Sequence, residues 1–488
     1  MSKRSPDPQN SAMQAPRPDD PSGETLSAAH AARELGVARR TIYAYVSRGL
    51  LASVADPQNP RARRYPAEGV RRLAAFRAAR RDPALGARAA ARGALAWGEP
   101  VLESAITRIA DGRLYYRGHD AAALAEAAAT RRTPGGGFER VAELLWRGVL
   151  PGSLATDAAP GRLQPLLARL ADARDLLQAA TPVQAARILM SYAEASDPGA
   201  GELDPAAVVR VGRDVLALVS TLACGAPYDA ATGDAAAGPA GGSIAARLAN
   251  AWTAGPQCPD EAVDLRAVTG LIDAALVLLA DHELNVTAFA TRVVASAGAS
   301  PYAALAAGLA SLEGTRHAGD NRFEIVLREA ESLLEPWTPS GGDDQPPAEP
   351  IRAYVARLIR QRGKVPGFRH RLYPDGDPRA ALLLRLIRER FGGPGRSRTL
   401  AAATALAAAV EEMEGTRPSV DFALVTLCRL IGAPPAAPLA LFAVGRTAGL
   451  VAHALEQYRT ERALRPRARY VGVPPLDPAP PAPDKRRG

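Results

Sequence analysis

Three histidines lie in short polar motifs that interrupt apolar stretches of this 488-residue sequence. His282 lies in DHELN, His317 in the glycine-rich motif GTRHAGDN, and His370 in the longer motif GKVPGFRHRLYPDGDPRA. A carboxylate, Asp421, follows in RPSVDF ahead of another apolar segment. The arginines that recur near these motifs are Arg379, Arg446 and Arg465. These residue types are those of general acid–base chemistry on an anionic substrate.

Together these side chains suit a small polycarboxylate substrate. Guanidinium groups bind carboxylates in a bidentate manner. Histidines polarise carbonyl groups and stabilise developing oxyanions, and a carboxylate in an apolar setting can take a proton from carbon. Each histidine taken singly is more often structural. A shared metal site is the competing joint interpretation, but the sequence has no HxH or HxxxH spacing to support it.

Length and composition indicate an ordinary globular protein of two to four domains. Hydrophobic residues make up 47% of the chain and charged residues 23%. The three cysteines form no CxxC pair, which argues against a disulfide framework or a zinc site and predicts a cytoplasmic location. The first 25 residues lack the apolar core of a signal peptide. The longest apolar run, at 274–280, falls short of the ~20 residues that a membrane helix requires.

Basic charge is concentrated near the amino terminus. Residues 1–83 carry 15 Lys and Arg against 8 Asp and Glu, and the rest of the chain is nearly neutral. We expect residues 1–24 to be disordered, residues 25–83 (the head) to fold as a small domain, and the proline-rich residues 473–488 to be disordered. From about residue 98 (the body), apolar segments with helical spacing are broken by Gly and Pro, which predicts an all-α structure.

The head has the spacing of a helix-turn-helix followed by a β-wing. Its segments LGVARRTIYAYVSRGLL and RARRYPAEGVRRL resemble the winged helix-turn-helix of the MerR and excisionase type. The resemblance implies DNA contacts, through base edges and phosphates, from Arg39, Arg40, Thr41, Tyr43, Arg63 and Arg64. The alternative is a protein-docking module, since the fold alone does not fix the function. A dimeric body would pair two heads and so strengthen DNA binding.

The body resembles citrate synthases. The motifs that carry the resemblance come in the family's order and span residues 100–472. They are ITRIADGRLYYRGHDAAALA, FERVAELLWRGVLP, DHELNVTAFATRVVAS, GTRHAGDN, PGFRHRLYPDGDPRA, SVDFAL, LFAVGRTAGLVAHALEQY and RPRARYVG.

The resemblance implies a mostly helical homodimer with a large domain (98–317 and 431–472) and a small domain (318–430). It implies condensation of acetyl-CoA with oxaloacetate to citrate and CoA, with no metal and no tightly bound cofactor. Asp421 would remove the methyl proton of acetyl-CoA, His317 would stabilise the enol, and His370 would polarise and protonate the oxaloacetate carbonyl. The residues implied for oxaloacetate binding are His282, Arg379, Arg446 and Arg465, the last of them acting in the partner's site. Those implied for CoA binding are Lys364, Val365, Gly367 and Phe368.

Several positions depart from the family's motifs. The usual GPLHGGAN turn is GTRHAGDN here, which introduces Arg316, Ala318 and Asp320 around the histidine. The usual GFGH is GFRH, which places Arg369 where a glycine allows close backbone approach. Two further departures are Pro374, where many relatives carry a cation, and Ser419, where an asparagine is common. These changes bear on CoA affinity and substrate identity and leave the proton-transfer residues in place.

Other conspicuous residues are interpreted as structural. His453 lies two helical turns after Arg446, and we expect it to be packed in the helix. We expect structural or surface roles for His119 and His30, and core packing for Trp146 and Phe442.

Two alternatives to a citrate synthase remain open. The first is a 2-methylcitrate synthase that uses propionyl-CoA, because one methylene changes binding by only ~1–3 kcal/mol and motifs do not reveal it. The second is a DNA-binding regulator whose body senses CoA thioesters or oxaloacetate. The intact set of Asp421, His317 and His370 favours an enzyme, whereas Arg316 and Arg369 favour a sensor.

Overall fold

The protein is described from a computed structural model. The structure describes residues 25–47, 51–56, 59–67, 69–71, 73–74, 102–130, 136–152, 177, 180–225, 242–254, 264–318, 322–338, 346–392, 397–460, 462–466, 468 and 471–472. The chain forms two compact units, Met1–Glu103 and Ser104–Gly488. The segments predicted to be disordered, 1–24 and 473–488, and the position of Asp320 lie outside the described residues.

The described part of the first unit contains three short strands and two helices. These are β1 Thr25–Ser27, α1 Ala28–Leu35, α2 Arg39–Ser47, β2 Val54–Asp56 and β3 Asn59–Pro66. The strands form an antiparallel sheet in the order β1-β3-β2. Gly36 ends α1 at φ +59°, a left-handed conformation that glycine adopts at little cost. Leu26 pairs with Tyr65 in the sheet, so α1 begins only after β1, at Ala28.

The core of this unit is small but well buried. Ile42 of α2 and Tyr65 of β3 are both fully buried and pack with Ala31 and Val70. The β2–β3 hairpin occupies the position of the predicted wing. The described residues between 67 and 74 are helical. The head therefore has its own core and the elements of a winged helix-turn-helix.

The second unit begins with a three-stranded antiparallel sheet and continues as helices. The strands are β4 Thr107–Ala110, β5 Arg113–Tyr116 and β6 His119–Asp120. The helices that precede the candidate motifs are α3 Ala121–Thr130, α4 Gly137–Arg147, α5 Pro182–Ser196, α6 Pro205–Ala223, α7 Ile244–Thr253 and α8 Leu265–Leu279. Those that follow are α9 Val286–Ser296, α10 Pro301–Leu312, α11 Arg322–Leu333, α12 Ala348–Arg362, α13 Pro378–Phe391, α14 Arg398–Glu414, α15 Val420–Leu430 and α16 Ala437–Tyr458. The predicted all-α body is confirmed.

Two central helices, α8 and α16, organise the core of this unit. Every residue of α8 from 268 to 279 is buried, and α3, α4, α7, α13 and α16 all pack against it. Among the described residues, α16 is the one helix long and apolar enough to cross a membrane, but 89% of its apolar window is buried inside the protein. A helix in the core of a protein can have the same length and composition, and α16 is such a buried core helix.

Close contact between α8 and α16 depends on two glycines of α16. A Cβ at Gly445 would lie 2.7 Å from Leu279 Cβ, and a Cβ at Gly449 would lie 2.4 Å from the carbonyl oxygen of Ala280. Real Cβ atoms do not approach backbone this closely, so glycine lets the two helices meet at the end of α8. His282 lies three residues beyond that end. The division of the body into a large and a small domain stays a prediction.

Candidate active site

Two candidate histidines meet beyond the end of α8. The His282 and His370 rings lie edge to face with centroids 5.1 Å apart. Tyr373 contacts both rings, and its hydroxyl lies 3.1 Å from His282 Nε2. His282 is buried and His370 partly so. The structure thus joins two motifs that are 88 residues apart in the sequence.

The first turn of α13 brings an arginine next to Tyr373. The Arg379 guanidinium lies over the Tyr373 ring, 5.6 Å from its centroid. Asp377 caps α13 and binds this guanidinium through two hydrogen bonds, of 3.0 Å from Nε and 2.8 Å from Nη2. Arg379 Nη1 donates to none of the described residues. It is therefore the donor that a substrate carboxylate can use.

Asp377 also links this cluster to the candidate base. Its second carboxylate oxygen accepts a hydrogen bond of 3.0 Å from the backbone of Val420, the first residue of α15. Asp421 follows immediately, in the first turn of the helix. Ser419 donates to the Gly367 carbonyl at 3.1 Å and lies 3.4 Å from Asp421 Oδ2. These hydrogen bonds hold the start of α15 against the start of α13 and against the segment around Gly367.

A second group of side chains is built on α16. The Phe442 ring lies edge to face with His317, and the Arg446 guanidinium lies 5.1 Å from the centroid of the same ring. Arg446 is almost fully buried and donates to the Leu279 carbonyl at 3.1 Å and to Thr287 Oγ1 at 3.4 Å. Phe442, which the sequence suggested as core packing, therefore also contacts two candidate residues. Trp146 is a core residue, buried and bonded to the Ala448 carbonyl.

The site is electropositive, and its histidines are neutral near pH 7. Burial lowers the pKa of His317 to about 4, with the charge of Arg446 acting in the same direction. Burial and then the Arg379 charge lower the pKa of His370 to about 4. Burial and the charges of Arg379 and Arg446 hold the pKa of His282 well below its ordinary value. The loss of hydration on burial and the nearby cations both disfavour the imidazolium form.

The pKa of the candidate carboxylate shifts in the opposite direction. Burial raises the pKa of Asp421, although the Arg379 charge acts against it. The charge of Asp421 in turn acts on both Arg379 and Arg446. His282, His317, His370, Arg379, Asp421 and Arg446 thus belong to one electrostatically coupled cluster. A base with a raised pKa next to neutral hydrogen-bonding histidines suits proton transfer from carbon.

The loop predicted to bind CoA runs beside Asp421. Phe368 forms a β-bridge with Pro418, and its ring packs 5.0 Å from that of Phe422. Val365 and Phe368 are buried, whereas Lys364 is exposed. Gly367 has φ +82°, and a Cβ there would lie 3.1 Å from Phe323 Cβ. The loop therefore presents a cation at one end and an apolar segment beside the carboxylate.

The departures from the family motifs differ in exposure, and Ser419 is the buried one, beside Asp421. Arg316, Arg369 and Pro374 are all exposed, and Ala318 is partly buried. Arg369 adopts φ +70°, a left-handed conformation that suits glycine and strains other residues. Its backbone N–H donates to the Arg417 carbonyl at 2.9 Å, which holds the strained residue in place.

Some predicted residues lie apart from the cluster. Arg465 is exposed in the segment after α16, next to Leu464, whose backbone binds Ser296 Oγ. None of the described residues of the cluster forms a hydrogen bond or ion pair with it. His119 and His30 are exposed, as expected for surface residues. Among the described residues, no three His, Cys, Asp or Glu side chains come together as a metal site would require.

Sequence reasoning missed two residues of the cluster, Tyr373 and Asp377. Both lie inside the motif that was singled out for His370 and Arg379, so their proximity in sequence was an available signal. Tyr373 is 1% exposed, and burial raises the pKa of its hydroxyl. Asp377 is 3% exposed; burial alone would raise its pKa, but the Arg379 charge and hydrogen bonds lower it overall. This buried ion pair lies within the start of α13, and the hydrogen bond from Val420 to Asp377 joins it to α15.

Sequence comparison identifies the body. The family described as citrate synthase, C-terminal domain, matches residues 94–467. The citrate synthase of Haloferax volcanii is 30% identical over 375 residues, which cover 75% of this chain and 91% of that protein. The chain belongs to the citrate synthase family. It is thus an enzyme of the citrate synthase type, a transferase.

Further relatives of this citrate synthase family member differ in their names. The 2-methylcitrate synthase 2 of Corynebacterium glutamicum is 26% identical over 349 residues, covering 70% of this chain and 86% of that protein. A citrate synthase structure from Thermoplasma acidophilum, a ternary complex with carboxymethyl coenzyme A and oxaloacetate, superposes with a TM-score of 0.59. It is 20% identical and covers 78% of this chain and 97% of that one, a likeness that bears on the fold.

The head of this citrate synthase family member matches a second family, described as MerR HTH family regulatory protein, over residues 26–82. Arg39, Arg40 and Tyr43 are exposed on α2, and Thr41 is partly exposed. Arg63 is exposed on β3. Arg64 differs from the others because its guanidinium binds Thr25 through two hydrogen bonds of 2.8 Å and lies 3.5 Å from Asp56. Arg64 thus ties β3 to both neighbouring strands.

Proposed function

We propose that this protein condenses acetyl-CoA with oxaloacetate and hydrolyses the product thioester to citrate and CoA. The observation that carries the proposal is the coupled cluster of three neutral histidines, two buried arginines and a carboxylate of raised pKa. Membership of the citrate synthase family supports the reaction type.

Oxaloacetate would bind first through its two carboxylates. Arg379 and Arg446 supply buried positive charge, and His282 supplies a neutral hydrogen-bond donor beside them. Arg465 would complete this site in the partner subunit of a homodimer. Arrival of a dianion offsets the field of the arginines, so the pKa of His370 rises when the substrate is bound. His370 can then donate a proton to the carbonyl oxygen as the new carbon–carbon bond forms.

Asp421 would remove a proton from the methyl group of acetyl-CoA. Burial raises the pKa of Asp421, which makes its carboxylate a stronger base. Neutral His317 would donate a hydrogen bond to the thioester oxygen, where negative charge develops in the enol or enolate. The loop formed by Lys364, Val365, Gly367 and Phe368 lies beside Asp421 and would hold the CoA moiety there.

A 2-methylcitrate synthase is the alternative within the family. The Corynebacterium glutamicum relative of that name covers most of this chain. The two activities differ by one methylene on the acyl group, which changes binding free energy by only ~1–3 kcal/mol. Relative rates with acetyl-CoA and propionyl-CoA therefore decide between them.

The decisive experiment follows free CoA released by the purified protein. Oxaloacetate is supplied with acetyl-CoA and, separately, with propionyl-CoA. Oxaloacetate-dependent release supports the condensing enzyme, and the larger kcat/KM names its thioester. No release, together with oxaloacetate binding measured by calorimetry, would instead support a sensor whose output is the head.

We propose DNA as the ligand of the head. The match to a MerR-type domain and the exposure of Arg39, Arg40, Thr41, Tyr43 and Arg63 support this role. Two heads on a homodimer would bind two half-sites. The double variant Arg39→Ala/Arg40→Ala should weaken DNA binding and reduce its salt dependence. The control Arg352→Ala/Arg357→Ala removes two exposed body arginines and should leave binding unchanged.

The remaining assignments concern the domain division of the body and the location of the protein. We propose a large domain of residues 98–317 and 431–472 and a small domain of residues 318–430 that close around the substrates. We also propose a cytoplasmic location. Limited proteolysis with and without oxaloacetate would test the domain division, since closure protects the segments that join two domains.

A further inference from the structure

A buried carboxylate–histidine pair lies directly beneath the candidate site. His453 Nε2 of α16 is 3.3 Å from Asp281 Oδ1, and both side chains are 0% exposed. The contact has ion-pair distance but poor hydrogen-bond alignment, and neither ring nitrogen of His453 has a hydrogen-bond partner among the described residues. Buried polar groups are rarely left this way, so the pair calls for an explanation.

Stability alone is a weak explanation. Burial acts to raise the pKa of Asp281, but its interactions with His453 and Arg446 and a 2.5 Å hydrogen bond from Thr107 hold it below its ordinary value. The carboxylate is therefore charged. Replacing a buried ion pair with apolar residues is often neutral or stabilising, so such pairs serve better to fix one arrangement than to add stability.

The position of the Asp281–His453 pair shows which segment it holds in place. Arg446, Gly449 and His453 are spaced at i, i+3 and i+7 and lie on one face of α16. Arg446 Nε donates to the Leu279 carbonyl, and the Gly449 N–H donates to the Ala280 carbonyl at 2.9 Å. His453 then contacts Asp281. One stripe of α16 thus holds three consecutive residues at the end of α8, and the next residue is His282.

A tyrosine secures the same segment from the other side. The Tyr116 hydroxyl of β5 lies within 3.4 Å of the carbonyls of Val277, Leu278 and Asp281 and of the Asp281 N–H. Thr107 of β4 binds the Asp281 carboxylate. Asp281 is thus held both by the β4–β5 hairpin and by α16. Its backbone leads directly to the imidazole that contacts Tyr373.

We propose that Asp281 and His453 act as positioning residues, which together hold the backbone that presents His282 to oxaloacetate. The inference rests on the proposed function, since it assigns His282 to oxaloacetate. Loss of the pair lets the segment 279–282 shift, and a displacement of about 1 Å at a binding group is enough to change rate or affinity by up to ~100-fold. The effect falls on the affinity for oxaloacetate more than on kcat, because Asp421 and His317 are held by other elements.

The test compares four variants of the full-length protein. Asp281→Asn and His453→Leu remove the pair, and His453→Gln keeps an amide N–H near the position of Nε2. Asp273→Asn is the matched control, because Asp273 is an equally buried carboxylate on α8 that caps α4 instead of approaching the site. The readouts are KM and kcat for oxaloacetate, oxaloacetate binding by calorimetry, and Tm.

The expected result is a KM for oxaloacetate raised about tenfold or more in Asp281→Asn and His453→Leu, with kcat within about threefold of wild type. His453→Gln should restore most of the affinity, and Asp273→Asn should lower Tm without changing KM. An unchanged KM in the first two variants, or an equal rise in Asp273→Asn, would overturn the inference. If Asp281→Asn does not fold, the contrast between the two His453 variants decides alone.

The wild-type protein is assayed first, which separates the two proposals. Absence of oxaloacetate-dependent CoA release and of oxaloacetate binding removes the proposed function and this inference with it. Wild-type activity combined with an unchanged KM in the variants removes this inference only.

Discussion

Single side chains in the site owe their chemistry to their surroundings. A histidine in water is half protonated near pH 6.5, yet His317 and His370 have pKa values of about 4 because they are buried beside arginines. Burial instead raises the pKa of Asp421. Burial and the arginine charges therefore keep the histidines neutral, whereas burial alone makes the carboxylate a stronger base against the opposing charge of Arg379.

Replacing Asp421 by Asn should abolish condensation. The amide keeps the volume of the side chain but cannot accept the methyl proton, so we expect kcat to fall by about 10²–10⁴-fold. Free CoA release measures the loss. Calorimetry with oxaloacetate provides the control, since Arg379 and Arg446 are untouched and binding should persist. Turnover close to that of the wild type would refute the assignment of the base.

His317 should make the protein less stable in mild acid. Its pKa is lowered in the folded state, so between pH 6.5 and about 4 the unfolded chain binds a proton that the folded protein does not. Stability from this residue is thus complete above pH 6.5 and is lost as the pH falls towards 4. His317→Asn should lose less free energy of unfolding than wild type between pH 7 and pH 4.5, as measured by urea denaturation. His119→Asn, at an exposed site, should behave like wild type; equal losses in all three proteins would contradict the prediction.

At the scale of elements, the segment between α12 and α13 provides several of the contacts that organise the candidate site. It holds the Gly367–Phe368 turn against Ser419, the His370–Tyr373 bridge and the Asp377 cap of α13. The first contact joins this segment to the start of α15, the second lies within the segment, and the third joins it to α13. The segment therefore carries His370 of the site and leads directly to Arg379 in the first turn of α13.

Arg369 is the strained position of this segment. A left-handed conformation costs a residue with a Cβ about 1–2 kcal/mol, whereas glycine adopts it freely but loses more backbone entropy on folding. We expect Arg369→Gly to be more stable than Arg369→Ala by about 1 kcal/mol, because alanine removes the charge but keeps the Cβ. Urea denaturation of both variants measures the difference. Equal stability of the glycine and alanine variants would show that φ at residue 369 stores no strain.

At the scale of the whole molecule, the chain combines two units with different chemistry. Residues Met1–Glu103 include a basic head with its own core, and Ser104–Gly488 contain the candidate cluster and a second core. None of the described residues of the candidate cluster comes from the head. The proposed condensation and the proposed DNA binding are therefore assigned to different units.

Removing residues 1–90 should separate the two activities. We expect CoA release to stay within a few-fold of that of the full chain, because the body has its own core. Retention on DNA, and its steep dependence on salt, should disappear with the head. Catalysis is measured by CoA release and retention by heparin or DNA chromatography over a salt gradient. Complete loss of catalysis would mean that the head is needed to complete the fold of the body.

The sequence by itself determined the classes of the two parts and most of the candidate residues. Helical spacing of apolar residues, the Gly36 turn and the charge near the amino terminus predicted a helix-turn-helix head and an all-α body. The motifs around His282, His317, His370 and Asp421 indicated the reaction type. These are local properties, which depend on residues a few positions apart, and so they can be read along the chain.

Only the tertiary structure decided which groups touch and in which protonation state they do so. Tyr373 between two histidines, Phe442 between His317 and Arg446, and the buried pair of Asp281 and His453 all depend on contacts between distant segments. Arg64 seemed suited to phosphate contacts, but in the fold it binds Thr25 and Asp56. Burial and long-range charge set pKa values, and both are properties of the packed molecule that no spacing along the sequence encodes.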